Sequence, residues 1–233
     1  MRTLFAEDFT VAAPPLELGD DEIHLWIFPW QGIGAEKSGT PPCLRQTLAA
    51  YLGVDADDLR IERNAAGKPY LANAALEFNI SHSDDALLIG LSRGQELGVD
   101  IEGGGRVRPY LEIARRYFTV DEAAALARLP GDRLARSFIE LWSAKEAVLK
   151  AIGRGIAFGL DRVGFELDGE GRTRRLLHLA AEAGTPAQWR LVRLSPQAGI
   201  TGALAWRGPE MRLRAFAVAA PSRLRRSARL ARP

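Results

Sequence analysis

The chain is organised around a helical pattern from Phe138 to Gly155, FIELWSAKEAVLKAIGRG. Wound at about 100° per residue, Phe138, Leu141, Trp142, Val148, Leu149 and Ile152 fall on one apolar arc, the face a helix buries against a core. Glu146, Lys150 and Gly153 lie together just beyond its edge, so a carboxylate, an ammonium and a position without a side chain share the rim of a buried face. Lys145 projects from the middle of the arc, where a charge needs a partner or a snorkelling route to solvent. A buried partner and a phosphate contact would each answer that need. Taken alone, the pattern is also that of an ordinary amphipathic helix with a Glu146 to Lys150 pair at i,i+4, worth about 0.2–0.5 kcal/mol.

Before this helix, EIHLWIF (Glu22 to Phe28) alternates as a strand with Ile23, Leu25 and Ile27 on one face. Pro29 to Pro42 is rich in Gly and Pro and reads as a loop. CLRQTLAAYL (Cys43 to Leu52) is helical, carries Arg45 in its first turns and stops at Gly53. A strand from Leu59 to Glu62 runs into a turn at Asn64-Ala65-Ala66-Gly67, and strand-like runs follow at Leu76 to Ile80, Ala86 to Ser92 and Leu97 to Ile101. The glycines at 103, 104 and 105 mark a boundary. Beyond it, Pro109 opens a helix to Tyr117, and Thr119 with Glu122 forms a capping box for a helix that Pro130 ends. Asp132 is placed to cap the long helix and Gly153 or Gly155 to close it. Strands are expected at Arg162 to Leu167, Trp189 to Leu194, Ile200 to Trp206 and Met211 to Val218. Each half thus combines helices with an antiparallel set of strands, an α+β class. The expected parts are 1–104, 105–221 and a tail at 222–233.

Composition narrows the chemistry. With 233 residues, 47% apolar and 26% charged, the chain can bury a sizeable core. The N-terminus MRTLFAEDF lacks the basic and apolar regions of a signal peptide, and no stretch is long enough to span a bilayer, so a cytoplasmic protein without a membrane partner is expected. One cysteine, Cys43, excludes an intrachain disulfide, and His24, His82 and His178 have no zinc-like spacing. Any metal should be a hard, oxygen-bound one. A net charge of +2 does not mark a nucleic-acid binder, although SRLRRSARLARP at the end holds five arginines and no acid.

Three constellations could carry chemistry. In GVDIE, Asp100 and Glu102 point to one face of a strand while Val99 and Ile101 point to the other. Two such carboxylates can hold a magnesium ion, which leaves its other positions to water and phosphate oxygens, and Glu146 could supply a third. The same alternation would equally suit a half-exposed strand with solvated acids. In FNISHS, Ser81, His82 and Ser83 offer donors to a phosphate at a strand end. Lys68 and Arg45 add cations. Carboxylates, one histidine and several cations, without a nucleophile or zinc set, suggest chemistry on a phosphate ester. No P-loop and no strand-linked GxGxxG is present.

FNISHS, GVDIE and WSAKEAVLKAIGRG, in this order and spacing and with Gly67-Lys68-Pro69 ahead of them, resemble the 4′-phosphopantetheinyl transferases of the long, surfactin-synthetase-activator type. The resemblance implies a monomer of two similar α/β subdomains related by a pseudo-two-fold, with the active site in the cleft between them. It implies transfer of the phosphopantetheine arm of coenzyme A to a serine of an apo acyl or peptidyl carrier protein, dependent on magnesium, with release of adenosine 3′,5′-bisphosphate. Such carriers serve fatty acid, polyketide and nonribosomal peptide synthesis. By the same resemblance Asp100, Glu102 and Glu146 form the magnesium set, and Glu146, with Glu102 as second candidate, takes the serine proton. Lys150 holds the diphosphate and steadies the leaving group. Ser81 and His82 meet the coenzyme's phosphates, His82 toward the 3′-phosphate, and Lys68 and Arg45 belong to the same pocket.

One departure from the family pattern is the short loop Pro29 to Pro42, whose only cation is Lys37, where relatives carry a longer basic segment. Two other classes fit the same residues: a module that docks carriers without modifying them, and a magnesium-dependent hydrolase of nucleotide diphosphates. The tail and Arg115-Arg116 are candidate contacts to an acidic carrier.

Overall fold

The computed structural model of the chain describes residues 1–30, 40–72, 76–83, 85–103, 105 and 107–219. Lys37 and the arginine tail lie outside them. The elements are β1 (Arg2–Phe5), β2 (Phe9–Val11), β3 (Glu22–Pro29), α1 (Pro42–Leu52), β4 (Ile61–Arg63), β5 (Pro69–Leu71), β6 (Glu77–Ser83), β7 (Ala86–Ser92) and β8 (Leu97–Gly103). There follow α2 (Tyr110–Tyr117), α3 (Val120–Ala127), α4 (Gly131–Ile152), β9 (Val163–Leu167), β10 (Thr173–Leu179), β11 (Trp189–Ser195), β12 (Ile200–Arg207) and β13 (Arg212–Ala217). The class is α+β, as the patterning implied.

Strand partners are not those of two separate halves. One sheet has the order β1-β11-β12-β8 and the other β2-β13-β3-β7-β6. Thus β8, from before the glycine boundary, completes a sheet of late strands, and β13, the last strand described, sits between β2 and β3. The expected division at residue 104 therefore does not separate the sheets, and the strands are not all antiparallel: β1 pairs with β11, and β13 with β2 and β3, in parallel. Period-two alternation identifies a strand and its faces but carries no information about its neighbour.

The sheets pack face to face. Ile23, Leu25 and Ile27 of β3 meet Leu97, Val99 and Ile101 of β8 and Leu204 and Trp206 of β12 in one apolar core. On the far side of the second sheet, Trp26, Leu87, Ile89 and Leu91 are covered by Leu44 and Leu48 of α1. The far side of the first sheet is covered by α4, whose apolar arc packs on Ala203, Ala205 and Trp189. β3 is consequently buried on both faces, with His24 held between Tyr51 and Glu22.

The local signals mostly read as written. Gly53 and Gly153 end α1 and α4 in the left-handed conformation, at φ 67° and 76°. Thr119 and Glu122 cap α3 reciprocally. Asp132 does not cap α4; Pro130 occupies that position and Asp132 lies in the first turn, 3.4 Å from Arg136 one turn on.

Lys145 has no exposed surface, and its ammonium lies 2.7 Å from Glu122 Oε2 and 2.8 Å from the Leu160 carbonyl that it donates to, with the Val163 carbonyl also accepting. Phe118 presents its ring 4.9 Å away. Burial pushes the ammonium down from its ordinary value and Glu122 pulls it back. Glu122 in turn accepts from the backbone N–H groups of Thr119 and Phe165. Of the two tasks open to Lys145, the structure gives it the buried partner: it ties α4 to α3 and to the start of β9. Replacing Lys145 by Met strands a buried carboxylate, which should cost about 3–5 kcal/mol and lower Tm by roughly 10 °C in a domain of this size. Adding Glu122→Gln should restore more than half of that loss. A calorimetric Tm within 2 °C of the parent for the single variant, a limit of about 1 kcal/mol, would show that the pair contributes little.

Candidate functional site

The site is built where β8 lies on α4. Leu97, Val99 and Ile101 enter the inter-sheet core, so Gly98, Asp100 and Glu102 face the other way, toward the helix. These acids are therefore not a solvated strand face: Asp100 is buried and Glu102 half-buried.

The neighbouring strand β6 fixes their position. β8 is an edge strand, and its outward N–H groups are taken up by side chains instead of another strand. Val99 N donates to Asn79 Oδ1 at 2.8 Å, Ile101 N to Ser81 Oγ at 3.2 Å and Gly103 N to Ser83 Oγ at 2.6 Å. Every second residue of FNISHS thus staples one sheet to the other. The Ser81 hydroxyl donates to Asp100 Oδ1 at 3.0 Å and accepts from Lys150 Nζ at 3.1 Å. One donor and two acceptor sites are all that a hydroxyl has. Ser81, which also lines the cavity beside these groups, therefore orients Asp100 and Lys150.

Lys150 does not pair with Glu146 one turn before it; its ammonium lies 2.7 Å from Asp100 Oδ1. Asp100 Oδ2 and Glu146 Oε1 are buried with no hydrogen-bond partner among the described residues. Glu102 Oε2 lies 3.0 Å from Arg108 Nη2. Burial lifts the Glu146 carboxyl to about 7, with Asp100 adding to the rise, Lys150 opposing it and Glu102 contributing further. Burial and Asp100 also raise Glu102, against Arg108 and Lys150.

An all-carboxylate donor set with two buried oxygens lacking partners suits a hard cation such as magnesium. Among the described residues, however, no three acid, histidine or cysteine side chains are already gathered to hold an ion. The fit lies in the donors' chemistry and unmet valence, and a finished cage is not present.

A cavity of about 460 Å³ opens beside these groups, lined by Trp30, Arg63, His82, Asp100, Glu102 and Lys150 among others. His82 stacks on Trp30, with ring centres 5.6 Å apart and planes at 30°. The Trp30 backbone N–H donates to the Asp85 carbonyl, which fixes the end of β3 beside the turn after β6. Trp30, Arg63 and Arg108 are site residues that the sequence reading missed. A lone aromatic or arginine at a strand end or in a connection carries no periodic signal.

Two expected residues stand elsewhere. Arg45 donates to the Ala56 and Leu59 carbonyls, pinning the chain after α1, and Lys68 lays its stem against Gly153. Neither is among the residues lining the cavity. Burial lowers the Lys68 ammonium, against Glu96 and Glu77. Cys43 is half-buried and its thiol is raised by burial, which fits a packing residue.

Comparison with known proteins identifies the family. Residues 96–205, from β8 to β12, match the model of the 4′-phosphopantetheinyl transferase superfamily. The 4′-phosphopantetheinyl transferase HetI of Nostoc is 30% identical over 175 residues, which are 62% of this chain and 74% of that protein. The chain belongs to the 4′-phosphopantetheinyl transferase superfamily. A phosphopantetheinyl transferase of Thraustochytrium is 33% identical over 168 residues (66% of this chain, 58% of that protein). The psf-1 transferase of Bacillus pumilus is 32% identical over 131 residues (55% and 54%). The chain thus spans little more than half the length of these last two relatives. No helix among the described residues is long and apolar enough to cross a membrane.

The raised Glu146 carboxyl sets a direction for stability in chelating buffer. Its folded value of about 7 lies above the 4.5 of the unfolded chain, so the folded state holds the extra proton between these limits. Stability from this group is fully present below pH 4.5, falls as pH rises from there toward 7 and stays low above it. Glu146→Gln, which cannot ionise, should be more stable than the parent at pH 8 by up to roughly 3 kcal/mol and should match it near pH 4.5. Urea melts of both proteins across this range give the difference directly. Parallel pH profiles would show that Glu146 ionises without cost.

Proposed function

We propose that the protein transfers the 4′-phosphopantetheine arm of coenzyme A to a serine of an apo acyl or peptidyl carrier protein. What supports the reading is one juxtaposition: Lys150, Ser81 and Asp100 joined across a helix and two strands, beside buried Glu146 and Asp100 oxygens without partners among the described residues, on the wall of a cavity. Membership of the superfamily supplies the class of reaction, and the transferase names of its relatives in Nostoc, Thraustochytrium and Bacillus pumilus agree with it.

In this reading Asp100, Glu146 and Glu102 would hold magnesium. When bound, the ion would stabilise negative charge on the diphosphate oxygens. The protein's own groups do the rest. Glu146, with a carboxyl poised near neutrality, accepts the proton of the carrier serine as its oxygen bonds to the phosphorus bearing the pantetheine arm. The bond from that phosphorus to the oxygen of the adenosine half breaks. Lys150, steered by Asp100 and Ser81, meets the negative charge left on adenosine 3′,5′-bisphosphate. His82, backed by Trp30, and Arg63 bring positive or donor groups to the same cavity, where the coenzyme's remaining phosphate is expected. Monomeric state and cytoplasmic location belong to the same proposal.

Incubation with apo carriers, coenzyme A and magnesium, followed by mass spectrometry of the carrier, tests this. The parent should add the phosphopantetheine mass to at least one carrier of a broad panel. Glu146→Gln should be slower by about 10²–10⁴-fold, the range for loss of a general base, while melting as a folded protein. No mass gain on any carrier would overturn the transferase reading. Release of phosphopantetheine without a carrier would identify a hydrolase instead.

A further inference from the structure

Arg108 is the charged group of the site that the proposed reaction does not use. It stands in the short connection between β8 and α2, where its carbonyl accepts from Tyr110 N at 2.8 Å as the helix begins. Its guanidinium reaches back to the strand it has just left, and Nη2 lies 3.0 Å from Glu102 Oε2. The pair is largely shielded, with 30% of the arginine side chain and 20% of the glutamate side chain exposed. Attraction between such charges is stronger than on an open surface.

The three acids are unequally provided for. Asp100 has Lys150 and Ser81 on one oxygen and, among the described residues, no hydrogen-bond partner on the other; Glu146 likewise has an oxygen without one; Glu102 has Arg108. A divalent cation drawing on all three would therefore meet at Glu102 a carboxylate already held by a fixed positive group. Two centres of like charge on one carboxylate repel, and the guanidinium also holds the carboxylate toward the connection to α2.

We propose that Arg108 is a competing counter-ion that weakens the site's hold on a divalent cation by engaging Glu102. The inference rests on the assignment of Asp100, Glu102 and Glu146 to a cation made above. It concerns affinity, and so can be read without any carrier or turnover.

The experiment uses the full chain and manganese(II) as the probe, with free ion counted by electron paramagnetic resonance and binding followed by titration calorimetry. Arg108→Gln should bind manganese about tenfold more tightly than the parent, the scale of one such charge removed beside the ion. The gain should vanish when Arg108→Gln is introduced into Glu102→Gln, because the counter-ion then has nothing to compete for. Affinity that is unchanged or weaker in Arg108→Gln, with the parent binding normally, would overturn the inference and leave the cation assignment standing. A gain that persists in the Glu102→Gln background would also overturn it, since Arg108 would then act only through its distant field. A parent that binds no manganese at millimolar concentration would overturn the cation assignment itself, and this inference with it.

Discussion

The site depends on the contact between Gly98 and the backbone of α4. A methyl group at residue 98 would lie 2.0 Å from the Ala147 carbonyl oxygen and 2.4 Å from the Ala151 nitrogen. Only glycine lets a strand rest directly on the helix at this point. Two residues further along β8, the same close approach leaves Asp100 within 2.7 Å of the Lys150 ammonium. Any larger residue would lift the strand, and the helix and strand that supply the acids would part.

A second constraint acts from the other side. β8 presents one edge to β12 and the other to the side chains of Asn79, Ser81 and Ser83. The three hydrogen bonds lock the register of β6 against β8, which matters because a one-residue slip would turn Asp100 and Glu102 into the core. Ser81 belongs to both systems. It takes part in the staple and also holds the Asp100–Lys150 pair, so inter-sheet packing and site geometry are set by the same hydroxyl.

This division explains what could be read from the sequence. Period-two alternation in GVDIE put Asp100 and Glu102 on one face and the apolar residues on the other, and the helical arc of α4 put Glu146 and Lys150 on a rim. Both features are local and periodic. What lay hidden was pairing between distant segments: β13 inserted between β2 and β3, and Lys145 meeting Glu122 on another helix. β10, with three polar or charged residues opening TRRLLHL, lacks the alternation that announces a strand. Ser81 shows a different limit. A serine at a strand end looks the same whether or not it ties down a neighbouring strand, and only the partners of its hydroxyl reveal the tie.

Lys145 and Lys150, five positions apart on α4, show how one helix carries both structure and chemistry. Each ammonium faces a carboxylate at 2.7 Å. Around Lys145 the Glu122 carboxylate accepts two backbone N–H groups, the ammonium donates to two carbonyls, and neither side chain is more than 1% exposed. Such a pair, satisfied and sealed, holds elements in place. Around Lys150 the side chain is 26% exposed and faces a cavity, Asp100 keeps an oxygen without a partner among the described residues, and Glu146 beside it carries a carboxyl displaced to about 7. A buried group left short of partners lowers stability, and a fold that depended on this region for packing alone would gain from filling it with apolar side chains. The same helix shows, one turn away, that a buried charge can be fully satisfied. The unmet valence at Asp100 and Glu146 is therefore better explained by a ligand that completes it than by the demands of the fold.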